Sequence, residues 1–203
     1  LENTTGGQVL PTPYIAQVAQ LAKARGLALH LDGARLFNAA VACQVPAREI
    51  ARHFDTVSIC LSKGLGAPVG SVLVGSHALI DKARRWRKVC GGGWRQAGIL
   101  AAAGLHALDH HVARLAEDHA RASRLAERLR EIAGIDLLGQ HTNMVFINVP
   151  ADRLPALDAH LREAGVRVSI GYLPTLRLVT HLDIDDGGIE RTVAAFAGFF
   201  NAR

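Results

Sequence analysis

The chain of 203 residues has few of the features that mark specialised protein classes. Its 3 cysteines are an odd number without CxxC spacing, which argues against a disulfide framework or a zinc site and fits a reducing compartment. No run approaches the roughly 18 apolar residues of a membrane span. With 49% hydrophobic, 20% charged and only 5% aromatic residues, the composition is globular and excludes disordered, collagen-like and coiled-coil classes. The net charge of +5 permits an anionic partner without requiring nucleic acid.

The first half of the chain alternates apolar runs with helical patterns. Strands are predicted over 27–31, 56–61 and 71–74. Helices are predicted from Thr12 to a stop at Gly26, over 46–54, over 77–88 after a Ser76 cap, and over 97–108. Apolar strands separated by helices are typical of an α/β fold with a mostly parallel sheet covered on both faces.

The second half has a different pattern. A long amphipathic helix is predicted over 112–132, followed by strands over 144–149, 166–170 and 176–180 and helices over 154–164 and 188–201. We therefore expect a large domain over 1–111 and a small α+β domain over 112–203.

Lys63 is the first candidate for chemistry. It directly follows an apolar strand and is flanked by Ser62, Gly64 and Gly66. Burial at a strand end would favour the neutral amine, which can form a Schiff base with a carbonyl. The glycines would let the backbone approach a planar ligand. A surface lysine in a glycine turn remains an equally good interpretation of so short a motif.

Asp32 is the second candidate, because it ends the preceding predicted strand. A carboxylate beside a pyridine nitrogen keeps that nitrogen protonated, and the pyridinium is the electron sink of pyridoxal phosphate (PLP) chemistry. Alone, Asp32 is better explained as a helix cap. Ligands bind beyond the carboxyl ends of parallel strands, where both Asp32 and Lys63 are predicted to lie.

Two arginines are candidate clamps for a carboxylate, which guanidinium binds in two-pronged geometry. Arg35 follows Asp32 closely, and Arg177 lies in a strand otherwise made of Leu176, Leu178 and Val179. Structural salt bridges are the alternative for both.

Three other patterns are weaker. Gly64, Gly66 and Gly70 match neither the dinucleotide fingerprint nor a Walker loop, and a strand follows them. His106 and His110 have the spacing of zinc ligands, but the glutamate usual beside the first histidine is replaced by Ala107, and no metal is expected. The basic run 84–88 includes a tryptophan but has no accompanying nucleic-acid motif.

Five segments, distributed over essentially the whole chain, carry a resemblance to a known family. They are L-E-N-T from Leu1, H-L-D-G-A-R-L-F-N-A from His30, S-I-C-L-S-K-G-L-G-A-P-V-G-S-V-L-V-G from Ser58, R-W-R-K-V-C-G-G-G-W-R-Q from Arg85 and R-L-V-T-H-L-D from Arg177. These segments resemble the low-specificity L-threonine aldolases, PLP enzymes of the aspartate-aminotransferase fold (fold type I).

The resemblance implies a role for each candidate. Lys63 falls on the Schiff-base lysine and Asp32 on the partner of the pyridine nitrogen. Arg35 and Arg177 fall on residues that hold the substrate carboxylate, Arg35 close to the cofactor, and Arg95 on a contact to the cofactor phosphate. The reaction implied is cleavage of L-threonine or L-allo-threonine to glycine and acetaldehyde.

One departure concerns the start of the chain, because L-E-N-T lies well inside the family's sequences. The family's histidine that stacks on the cofactor and its phosphate-gripping turn have no counterpart here. We therefore expect a carboxyl-terminal part of such an enzyme, which is cytoplasmic and forms a homo-oligomer, a tetramer in the family, without nucleic acid or membrane partners. The alternatives are an aminotransferase, a β-eliminating lyase or a non-catalytic binding module.

Overall fold

The computed structural model describes residues 7–170 and 175–201, which form two units. The first unit is Val9–Leu115, and the second comprises residues 116–201 together with residues 7–8. The segment 1–4, where the first matching motif lies, is outside the described residues. Within the described ranges, no helix has both the length and the apolar character needed to cross a bilayer.

The first unit is an α/β arrangement around a three-stranded sheet. Its elements in chain order are α1 (Thr12–Ala24), β1 (His30–Gly33), α2 (Leu36–Cys43), α3 (Ala47–Ala51), β2 (Thr56–Cys60), β3 (Ser71–Gly75), α4 (His77–Val89) and α5 (Gly98–His110).

Local signals explain where several of these helices begin and end. Pro13 occupies the first turn of α1, and Gly26 follows the helix with a φ of +66°, which glycine adopts without strain. Ser76 caps α4, because its Oγ accepts the Leu79 N–H at 3.4 Å. The predicted Ser76 cap is thereby confirmed.

The sheet has the order β1-β2-β3. Strands β1 and β2 are parallel, and β3 is antiparallel to β2. Every residue of β3 is exposed, whereas Val57 of β2 is buried. The predicted parallel pair is therefore present, but the third strand is neither parallel to it nor covered on both faces.

Strand β1 begins later than predicted. The strand was expected over 27–31, yet it forms at His30–Gly33 and includes Asp32. Leu29 lies outside it, and its N–H donates to the Asp55 carboxylate at 2.7 Å. Leu31 and Gly33 are buried while His30 and Asp32 are exposed, so burial alternates along β1. The apolar run 27–31 therefore did not predict the bounds of this strand.

The helix α2 was not predicted, although its residues 36–41 are mostly apolar. It packs into an apolar core that includes residues of β1 and β2. That core consists of Ile15, Leu31, Leu36, Ala39, Ala40, Ile50 and Val57.

The second unit is a small α+β arrangement around an antiparallel sheet of order β4-β5-β6. Its elements are α6 (Leu115–Arg130), whose first residue belongs to the first unit, β4 (Asp136–His141), β5 (Met144–Asn148), a 3-10 turn (Ala151–Arg153), α7 (Leu154–Glu163), β6 (Thr175–Val179) and α8 (Asp186–Asn201).

Helices α6, α7 and α8 bury one apolar stripe each against this sheet. Leu129, Leu161 and Phe196 are fully buried there. Two strand predictions differ from the structure. Residues 166–170 form no strand, and β4 was missed because a register shift between Leu137 and Gly139 breaks its alternation.

Candidate active site

Two candidate side chains lie at or beyond the ends of neighbouring strands of the first sheet. Asp32 pairs with Ser58 in the parallel register of β1 and β2, so both strands end at the same edge. Lys63 lies three residues beyond Cys60, the last residue of β2. The structure thus places a carboxylate and the loop that bears an amine at one edge of the sheet, as predicted.

The Asp32 carboxylate is oriented by its own backbone. Its Oδ1 accepts the Ala34 N–H at 3.1 Å, a local turn that aspartate commonly makes. The side chain is nevertheless exposed. Asp32 is therefore held in direction while remaining open to a ligand.

Gly33 allows β1 to lie close to β2 beside Asp32. A Cβ at this position would be 2.7 Å from the Ser58 carbonyl oxygen and 3.0 Å from Val57 Cγ1. The first distance is shorter than real Cβ contacts, and backbone cannot yield as a flexible side chain can. Any larger residue would push the two strands apart.

Lys63 lies in the loop 61–67, and its side chain is exposed. The predicted burial of this amine is wrong, because Ser62 and Lys63 leave the sheet once β2 has ended. The loop is firmly seated all the same. A Cβ on Gly64 would meet Leu115 Cδ2 at 3.0 Å and Asn38 Oδ1 at 3.1 Å.

Arg35 lies in the short connection between β1 and α2. It immediately precedes α2, three residues after Asp32, and is half-buried with a buried Nη1 atom. The structure therefore brings Arg35 and Asp32 to the same connection at the end of β1.

Arg95 also belongs to the first unit. It is exposed in the segment between α4 and α5, next to Gln96, whose φ is +51°. This left-handed backbone conformation is uncommon for residues other than glycine, and it turns the chain directly after Arg95.

Arg177 belongs to the second unit, where it is the exposed central residue of β6 opposite Phe146 of β5. It lines a cavity of about 260 Å³. Polar neighbours on the cavity wall are Arg167, Ser169, Thr180, His181 and Thr192.

Sequence reasoning missed His111, which contacts the Lys63 loop. Its Nδ1 lies 2.6 Å from the Leu65 carbonyl oxygen, although the two residues are 46 positions apart. No local pattern could have indicated this pair. His106 and His110, which were weighed as zinc ligands, have ring centroids 4.4 Å apart. Across the described parts of the chain, no group of three or more His, Cys, Asp or Glu side chains is placed to bind a metal.

An amine and an oriented carboxylate at one strand edge can serve complementary purposes. The amine can bond to a ligand carbonyl, and the carboxylate can hold a proton on a ring nitrogen. This donor set fits a ligand that carries both an aldehyde and a pyridine ring.

Comparison with protein families gives a match over most of the chain. The family model "Beta-eliminating lyase" matches residues 1–152. The low-specificity L-threonine aldolase of Escherichia coli is 48% identical over 199 residues, which cover 98% of this chain and 59% of that protein. The low-specificity L-threonine aldolase 1 of Arabidopsis thaliana is 43% identical over 204 residues, covering 97% and 57%. The chain thus spans less than two thirds of these relatives.

Solved structures share the fold at low identity. The Leishmania major threonine aldolase superposes with a TM-score of 0.76 at 22% identity and covers 98% of this chain and 59% of its own. The Sphingomonas wittichii serine palmitoyltransferase superposes with a TM-score of 0.70 at 20% identity, covering 91% and 50%. The predicted fold class, fold type I, is confirmed.

Proposed function

Because the chain belongs to the beta-eliminating lyase family, we propose that the protein containing it uses PLP to cleave L-threonine and L-allo-threonine to glycine and acetaldehyde. The proposal rests on Asp32 in β1 and on Lys63 in the loop that follows β2, both toward one edge of this parallel pair. The 48% identity to a threonine aldolase supports the choice of substrate.

The residues present fit the cofactor. Bound PLP supplies an aldehyde that takes the substrate amine and a ring that accepts the electron pair released when the Cα–Cβ bond breaks. The Lys63 Nζ would hold the cofactor through its aldehyde. The Asp32 carboxylate, oriented by the Ala34 N–H, keeps a proton on the ring nitrogen.

The arginines bind anionic groups in this proposal. Arg35 holds the substrate carboxylate close to the cofactor, since it shares a connection with Asp32. Arg177 binds a carboxylate through its two-pronged guanidinium, an assignment supported by the family resemblance and by its place on a cavity wall of the second unit. Arg95, exposed in its turn, binds the cofactor phosphate.

We extend the proposal to a cytoplasmic homo-oligomer, a tetramer, that acts in amino acid metabolism and threonine breakdown. Large apolar side chains exposed in the first unit support self-association, because a second copy would remove them from water. Among them are Trp86, Val89, Trp94, Ile99 and Leu105. Three free cysteines, Cys43, Cys60 and Cys90, fit a reducing compartment.

A second candidate is β-elimination, which the family model favours by its description. The same lysine and aspartate would serve it, but the bond broken would join Cβ to a leaving group, and ammonia would follow. Product analysis separates the two reactions.

The test is to incubate the purified protein and PLP with L-threonine, L-allo-threonine and O-acetyl-L-serine. We expect equal amounts of glycine and acetaldehyde from the first two and no ammonia from the third. Ammonia release without acetaldehyde would establish the second candidate instead. A protein that neither reacts nor develops the absorbance of bound PLP would contradict both and leave a binding module.

A further inference from the structure

The loop that carries Lys63 is closed by two hydrogen bonds of its own. The Ala67 N–H donates to the Leu61 carbonyl at 3.0 Å, and the Gly66 N–H donates to the Lys63 carbonyl at 2.9 Å. Gly66 has a φ of +71°, which turns the chain at this point. Because the Gly66 N–H holds the Lys63 carbonyl, the direction in which the Lys63 side chain points depends on this hydrogen bond.

The underside of the loop is packed. Leu65 is only 3% exposed and contacts the apolar cluster beneath the loop. That cluster comprises Leu61, Leu65, Ala67, Ala107 and Leu115. Packing holds the Leu65 side chain, but it does not determine how the following peptide plane is rotated.

A hydrogen bond from His111 to the Leu65 carbonyl can fix that rotation. His111 follows α5 directly, and its own N–H donates to the Ala107 carbonyl at 2.9 Å. Its Nδ1 lies 2.6 Å from the Leu65 carbonyl oxygen. Because a carbonyl oxygen can only accept, the Nδ1 carries the proton and donates it.

The two contacts meet on one rigid unit. The Leu65 carbonyl and the Gly66 N–H belong to the same planar peptide. The His111 Nδ1–H holds the carbonyl end, and the N–H end holds the Lys63 carbonyl. A single chain of hydrogen bonds thus runs from His111 through one peptide plane to the backbone of Lys63, and such chains strengthen each member.

We propose that His111 is a positioning residue for Lys63: by fixing the Leu65–Gly66 peptide, it directs the amine toward the group that it binds. The inference rests on the proposed function, which makes Lys63 the attachment point of the cofactor. His111 itself does not touch the reacting atoms in this role.

Matched variants can test the geometry. In His111→Asn the amide nitrogen stands the same number of bonds from Cβ as Nδ1, so it can still donate to Leu65. In His111→Gln the amide nitrogen stands where Nε2 was and cannot. His111→Leu has no donor. His110→Leu is the control, because His110 is exposed, and its described ring contact is with His106 rather than with the loop.

Three readouts are needed: hydrogen exchange and cofactor labelling, which do not depend on turnover, and steady-state kinetics. Hydrogen exchange of the peptide covering 62–67 reports the Gly66 amide, and borohydride reduction with peptide mapping reports the cofactor on Lys63. For His111→Gln and His111→Leu we expect faster exchange and a kcat lowered about tenfold with KM little changed, the effect of losing one partly buried hydrogen bond. For His111→Asn we expect both within about twofold of the native values.

The outcomes are distinguishable. Unchanged exchange in His111→Gln, or faster exchange with native kcat, would overturn the positioning role. Equal losses of kcat and of protection from exchange in the Asn and Gln variants would also overturn it. If His111 had only a structural role, the Asn variant would not retain native values. Since this pair is polar and matched, it decides the question even if His111→Leu does not fold. A native protein that carries no label on Lys63 would overturn the proposed function itself, while the exchange difference would still be measured.

Discussion

Asp32 lies directly opposite Ser58 in the parallel pair β1–β2, so the strand that bears the carboxylate and the strand that leads to Lys63 end at the same level. Four residues after Ser58 the chain has left the sheet and exposes its side chains. Parallel pairing alone accounts for this proximity, because antiparallel strands would bring opposite ends together.

Replacing Lys63 by Ala should abolish covalent attachment of PLP and lower kcat by at least about 1000-fold. The melting temperature should be unchanged, because the Lys63 side chain is exposed. Lys23→Ala, an exposed lysine of α1, is the control. Borohydride reduction and peptide mapping give the measurement, and a label that persists elsewhere at native yield would contradict the assignment.

Replacing Asp32 by Asn preserves the shape and the acceptor for the Ala34 N–H but removes the charge. We expect bound PLP with kcat lowered about 100- to 1000-fold, because a neutral amide cannot keep the ring nitrogen protonated. Asp81→Asn, on the exposed surface of α4, should behave as the native protein. Native kcat in Asp32→Asn would show that the carboxylate has another purpose.

Arg177 and Arg167 line the same cavity. If only the positive charge of the cavity mattered, removing either arginine would raise the KM for threonine equally. We expect Arg177→Ala to raise KM for threonine about 10- to 100-fold, the effect of losing a charge-assisted hydrogen bond. Arg167→Ala should raise it much less. Steady-state kinetics of both variants measure the difference, and equal KM values would argue for a general electrostatic effect.

Gly33→Ala should destabilise the first unit by about 2 kcal/mol, because its Cβ meets backbone and forces the strands apart. Gly98→Ala offers a matched comparison at the start of α5, where a Cβ has no neighbour within 4 Å. That variant should be neutral or slightly more stable. Denaturant unfolding measures both, and a native-like Gly33→Ala would mean that β1 and β2 can separate without cost.

The Arg121 hydrogen bond, assisted by Arg124, lowers the pKa of the Asp186 carboxyl below its usual value. A lowered carboxyl pKa stabilises the fold at pH values above the unfolded-state pKa, and this stabilisation is lost as the pH falls through the folded-state pKa. Below about pH 4 the native protein should therefore lose melting temperature more steeply than Asp186→Asn.

Thermal unfolding between neutral and acid pH measures this difference. Asp152→Asn, an exposed aspartate of the same unit, is the control and should keep the native slope. Parallel curves for the native protein and Asp186→Asn would show that the pair with Arg121 adds nothing to stability, as is common for exposed ion pairs.

Much of the fold was predictable from local signals. The helix starting near Thr12, the Ser76 cap and strand β2 follow from proline, serine and a run of β-branched and apolar residues. The site was predictable in part, because Asp32 and Lys63 each follow such a run. Strand β4 was not, since a register shift interrupts the alternation on which strand prediction depends.

By itself, the amino-acid sequence determined the α/β fold class and the candidate residues for the chemistry, because capping residues, apolar spacing and matching segments are local properties. Only the tertiary structure decided that β3 runs antiparallel, that the Lys63 side chain is exposed and that His111 reaches Leu65. Strand direction, solvent access and a hydrogen bond across 46 positions depend on the path of the whole chain, which short-range patterns do not record.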